Sequence, residues 1–126
     1  MIRVTIPVFE NIAIPYYRWS RTQSDKVWLG SNFRVKLLKM GIDKAGSINK
    51  LGRVMGYKSR VHPGWSVRQM LIGKQPFPKD RLKMLAEFLD YPIEEIMNHQ
   101  ISPSLITMEN TRKALETNDM LSFMPR

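Results

Sequence analysis

No cysteine occurs among the 126 residues, which excludes disulfides, thiol catalysis and thiolate metal sites together and fits a reducing compartment. Histidine is nearly as scarce. His62 and His99 stand alone without ligand-spaced partners, so neither a zinc site nor a histidine base is expected. No apolar run approaches the roughly 18 residues that a membrane helix needs. Pro7, Glu10, Asn11 and Pro15 also interrupt the N-terminal stretch, which lacks the anatomy of a signal peptide. A cytoplasmic protein with no membrane partner is expected. Gly73-Lys74 lacks the glycine-rich lead of a phosphate-binding loop, and the acids of 80–95 sit at ordinary surface density, so no enzyme, cofactor or metal is expected.

Acidic residues are missing from one region above all. Between 31 and 75, Asp43 is the single acid against ten basic residues: Arg34, Lys36, Lys39, Lys44, Lys50, Arg53, Lys58, Arg60, Arg68 and Lys74. Ten against one gives this segment +9, the net charge of the whole chain, while the flanking regions cancel. Charge of one sign concentrated in a small domain repels itself and is commonly kept for an anionic partner, of which a polyphosphate is the leading kind. Nucleic acid is therefore the expected ligand.

What is present fits one packed core. The length allows a single domain with decorated ends, and 43% hydrophobic residues argue against a basic disordered tail. Ile2, Val4, Ile6 and Val8 alternate with Arg3, Thr5 and Pro7, the two-residue period of an edge strand, and a second extended piece is expected from about Ile12 to Trp19. From Ser31 the period lengthens. Phe33, Leu37 and Met40 predict a helix over about 32–40 behind a Ser31 cap, with Gly41 as its stop. Ser47 precedes Ile48, Leu51, Gly52 and Met55, a second short helix closed by Gly56. A basic loop, 57–63, leads to a third helix that puts Val67, Met70 and Leu71 inward and Trp65, Arg68 and Gln69 outward, ending at Gly73. Pro78 opens a fourth helix with the stripe Leu82, Leu85, Ala86 and Leu89, and Pro92 opens a fifth with Ile93, Ile96 and Met97 apolar. Thr107 is placed to cap a sixth helix through about Glu116, and residues 117–126 read as frayed.

Three fragments in this order, INKLGRVMGY, VRQMLIGKQPFP and RLKMLAEFLDYPIEEIM, resemble the phage-repressor (Cro-like) helix-turn-helix family over about residues 33–97. The resemblance implies a mostly α-helical compact bundle of about five short helices whose third reads DNA. With the alternating stretch outside the resemblance, the expected division is an N-terminal β-arm at 1–30, a DNA-binding domain at 31–99 and a C-terminal extension at 100–126. Two departures stand out. Ile48 occupies the place of the family's phosphate-contacting glutamine, and the interval from Gly56 to Gly73 is 17 residues, longer than the family's habit, with the surplus in YKSRVHPG. The third helix therefore starts at Pro63, Gly64 or Trp65.

The implied site has two parts. Arg68 suits guanine and Gln69 adenine through paired hydrogen bonds, and Trp65 and Ser66 join them as base contacts. For Trp65 the competing reading is core filling or a second interface. Arg34, Lys36, Lys50, Lys58, Ser59, Arg60, His62 and Lys74 are the expected phosphate contacts, which position a protein without reading sequence. A transcription regulator, repressor-like, nucleoid-associated and dimeric, is the expected use, with double-stranded DNA as partner. An RNA-binding module, to which the 16–19 aromatic cluster would contribute, is one alternative. The other is an antitoxin-like or accessory protein that binds another chain through the N-terminal arm or the C-terminal tail.

Overall fold

The computed structural model describes residues 26–124. The expected strand at 2–8, the extended piece at 12–19 and the 16–19 aromatic cluster lie outside the described residues. Within them the chain is mostly helical: α1 (Ser31–Ala45), α2 (Ile48–Val54), α3 (Trp65–Leu71), α4 (Lys79–Leu89), α5 (Ile93–Met97) and α6 (Met108–Thr117). Two short strands, β1 (Lys26–Val27) and β2 (Phe77–Pro78), pair antiparallel with Val27 opposite Phe77. No helix among the described residues is long and apolar enough to cross a membrane.

The segment entering α1 is tied on both sides. Val27 and Leu29 are fully buried, while Trp28 between them is half-buried, the alternation of an extended strand. Beyond the β1–β2 pair, Gly30 donates its N–H to the His99 carbonyl at 3.1 Å and Ile101 donates to that of Trp28 at 2.9 Å. These bonds join the start of α1 to the end of α5.

Helix α1 departs from the expected stripe. It buries Arg34, Val35, Leu37, Leu38 and Gly41, whereas Phe33 is half-buried and Met40 exposed. Phe33 instead stacks on His99 at 3.7 Å and meets Tyr91 edge-on at 6.0 Å. Ser31 does not cap the helix; Gly30 does, without a side-chain bond. Nor does Gly41 stop it. A Cβ there would stand 3.0 Å from the side chains of Leu51 and Leu85, so the glycine lets α2 and α4 close on α1 from within an unbroken helix. The stop is Gly46, whose φ of 107° is open to a residue without Cβ and whose N–H bonds the Ile42 carbonyl at 2.8 Å.

Arg34 was expected to face phosphate and is instead 1% exposed. Its guanidinium donates from Nε to the Leu71 carbonyl at 3.3 Å, from Nη1 to the Leu29 carbonyl at 3.0 Å and from Nη2 to Thr111 Oγ1 at 3.0 Å. One side chain thus joins the entry strand, the C-terminus of α3 and the inner face of α6. Burial pulls its pKa down to about 10, which leaves it charged at neutral pH. The last carbonyl of α3, at the negative end of that helix's dipole, supplies part of the compensation that water would otherwise give. No carboxylate is among these three acceptors.

The C-terminal segment belongs to the same core. Thr107 caps α6 by accepting the Asn110 N–H at 3.0 Å, and Thr111, Ala114 and Leu115 face α1. The chain past Glu116 is ordered rather than frayed through Met124. Met120 is buried and donates its N–H to Leu115 at 2.7 Å, a short 3-10 turn covers Leu121–Phe123, and Phe123 and Met124 pack on the core. Periodicity missed this because an anchor of one buried methionine is too short to have a period.

Candidate nucleic-acid interface

Residues 44–79 contain no Asp or Glu. They run from the end of α1 through α2, the loop after it, α3 and β2 to the first residue of α4, so the acid-free stretch contains the whole α2–loop–α3 unit. Its construction begins at Ser47, whose Oγ accepts the Lys50 N–H at 3.1 Å and caps α2. Leu51 and Gly52 turn inward, leaving Asn49, Lys50 and Arg53 outside.

Two glycines bring α2 and α3 together backbone on backbone. A Cβ on Gly52 would overlap the Pro63 carbonyl and stand 2.9 Å from the Gly64 nitrogen; one on Gly64 would stand 2.7 Å from the Ile48 carbonyl oxygen. Asn49 Oδ1 accepts the Gly64 N–H at 3.0 Å across this contact. The start of α3 is thereby fixed: Gly64 is the N-cap and Trp65 the first helical residue. Pro63, one of the three candidate starts, belongs to the loop.

The loop is anchored at its other end by α4. Arg81 donates Nη1 to the Met55 carbonyl at 3.2 Å and lies 4.9 Å over the Tyr57 ring. Burial pushes the Tyr57 phenol pKa upward, against the pull of Arg81 and of a hydrogen bond with Ser66. Between the anchors the loop folds on itself, with the His62 N–H bonded to Ser59 Oγ at 3.1 Å and the Trp65 N–H to the His62 carbonyl at 3.1 Å. Lys58, Ser59, Arg60, Val61 and His62 are left exposed.

Helix α3 buries Val67, Met70 and Leu71 and turns out Trp65 and Arg68, as the periodicity predicts, with Gln69 half-buried beside them. Arg68 makes one long bond, from Nη2 to the Phe123 carbonyl at 3.4 Å. Ser66, on the first turn of α3, is half-buried like Gln69.

The structure sorts the ten cations of 31–75. Arg34 is in the core, Lys39 pairs with Asp43 at 3.5 Å, and Lys44 reaches the Phe88 carbonyl and lies 4.8 Å over its ring. Lys36 is exposed, but on α1, where it borders a depression of about 560 Å³ with Asn32, Asn98 and His99. That leaves Lys50, Arg53, Lys58, Arg60, Arg68 and Lys74 exposed on the α2–loop–α3 unit. Arg53 was absent from the predicted contacts, although its spacing of three from Lys50 on a capped helix was a sufficient signal. Asn49, which fastens α3, had no sequence signal at all. The opposite charge is gathered elsewhere: Asp80, Glu87, Asp90, Glu94 and Glu95 are exposed along α4 and α5 and the turn between them.

A short helix with an outward Trp-Arg-Gln face, fastened to a second helix on a unit that exposes further cations, is of a size to enter a groove about 12 Å wide and leaves those cations available to phosphates. No family model, curated protein or solved structure matches this chain.

Proposed function

We propose that this protein binds double-stranded DNA sequence-specifically and acts as a transcription regulator, with α3 reading the major groove. The observation that carries this reading is the acid-free α2–loop–α3 unit, which exposes six cations, one of them Arg68 on the outward face of a helix fixed by backbone contact. In this reading Arg68 and Gln69 contact base edges, and Lys50, Arg53, Lys58, Arg60 and Lys74 hold phosphates, with Ser59 and His62 beside them in the loop. Ser66 remains a candidate base contact, whereas Arg34 is removed from the contact set because its guanidinium is buried and already bonded. The Phe123 carbonyl is an easily exchanged partner for Arg68, since a single bond of 3.4 Å at an exposed guanidinium is weak. A symmetric pair of protomers reading two half-sites is the working form that fits such a unit, and association with the nucleoid would follow.

Reading and holding separate under mutation. On a site selected from a random duplex pool, Arg68→Ala or Gln69→Ala is expected to relax preference at one or two base positions, at about 1–3 kcal/mol each. Lys58→Ala and Arg60→Ala should weaken selected and random duplexes alike. Equal losses on both duplexes for all four variants would remove α3 from the reading role. Tighter binding to single-stranded RNA than to any duplex would favour the RNA-binding alternative instead.

A further inference from the structure

We infer that Trp65 is a specificity-determining residue that recognises the 5-methyl group of a thymine, so that binding distinguishes thymine from deoxyuracil at one position of the site. The inference rests on the proposed DNA reading by α3 and adds the chemical group that one side chain recognises.

Trp65 is 54% exposed on the first turn of α3, and Val61, just ahead of it in the loop, is 70% exposed. The backbone that carries Trp65 is held in place. The Trp65 N–H is bonded to the His62 carbonyl, the preceding residue is pinned by Asn49, and Gly52 lies against Pro63. An apolar protein partner is a poor match for this indole, because the same unit exposes Lys58, Arg60 and Arg68 and offers no carboxylate of its own to pair them. An anionic ligand matches the charge of the unit that carries Trp65.

Position on the helix then selects the part of the nucleic acid. Trp65 precedes Arg68 by three and Gln69 by four, so the three share one face, with Trp65 about one turn toward the N-terminus. With Arg68 and Gln69 at base edges, the shared face brings Trp65 within reach of base edges too. In an intact duplex the base faces are stacked on each other, which rules out stacking by an indole that arrives from the major groove. The apolar group displayed on that groove's floor is the thymine methyl. Burying one methyl is worth a factor of about four in affinity.

The test is a scan in which each thymine of a selected duplex is replaced singly by deoxyuracil, with affinities measured for the wild-type chain, Trp65→Ala and Trp65→Phe. The expected result is a loss of about threefold to tenfold at one thymine position, or at two related by symmetry, that disappears in Trp65→Ala and persists in part in Trp65→Phe. Thermal melts confirm that the variants are folded, as substitution of an exposed residue should leave them. A flat scan, a selected site without thymine, or sensitivity unchanged in Trp65→Ala overturns the inference while leaving sequence-specific binding intact. A wild-type chain with no duplex binding overturns the DNA reading and this inference with it.

Discussion

Arg34→Ala is expected to cost about 3–5 kcal/mol of folding stability, lowering Tm by more than about 10 °C. The magnitude comes from three acceptors rather than from charge. Truncation leaves the Leu29 and Leu71 carbonyls and Thr111 Oγ1 buried without their donor, and it opens a cavity between α1, α3 and α6. Arg34→Met isolates the hydrogen bonds, because it fills most of the volume and supplies no donor. It should recover only a minor part of the loss. Arg34→Lys keeps the charge but concentrates its donors at one point, which cannot span acceptors on three elements. Chemical denaturation of the three variants measures this directly. A cost below about 1 kcal/mol for Arg34→Met would mean that the guanidinium stabilises by packing alone.

Gly52→Ala is expected to be the most damaging addition of a single methyl group to this chain. The new Cβ would overlap the Pro63 carbonyl, a backbone atom that cannot rotate aside, so α2 and the start of α3 must separate and the Asn49–Gly64 bond must lengthen or break. Overpacking of this kind costs about 3 kcal/mol, at the upper end of its usual range, after the gain of up to about 1 kcal/mol that alanine brings to a helix. Gly41→Ala is the internal control. Its Cβ would meet only the methyl groups of Leu51 and Leu85 at 3.0 Å, which can rotate away, so the net cost there should be about 1 kcal/mol or less. Function should follow the same order, with Gly52→Ala losing discrimination between selected and random duplexes because α3 is no longer held at one angle to α2. Equal stability of the two variants would show that the backbone contact does not fasten α3.

Much of this fold could be read from the chain because its elements carry punctuation. Ser47, Thr107, Pro78 and Pro92 stand at the starts of α2, α6, α4 and α5, and the apolar positions of α3 and α4 fall where the period puts them. Helix α1 was misread for one reason with two consequences. A pattern that counts apolar residues assigns Arg34 to the surface and Gly41 to a stop, yet the two lie with Leu37 and Leu38 on the buried face. Whether an arginine is buried depends on acceptors at Leu71 and Thr111, distant in sequence and invisible to any local period. The same limit applies to the candidate interface. Charge located it, and helical spacing selected Trp65, Arg68 and Gln69, but what mounts α3 is a meeting of Gly52 with Pro63 and of Asn49 with Gly64. Such contacts are tertiary, and no spacing announces them.

The central claim, that the acid-free α2–loop–α3 unit binds the DNA backbone, is tested most directly by the salt dependence of duplex affinity for the wild-type chain and for Lys58→Ala and Arg60→Ala. Each phosphate neutralised contributes about −0.9 to the slope of log affinity against log salt. With Arg68 assigned to a base, five exposed cations remain on the unit, which lead to about four to five phosphate contacts per protomer and a slope of about −3.5 to −4.5. Each of the two substitutions should make that slope shallower by about 1. A slope near zero, or one that neither substitution changes, would contradict the account.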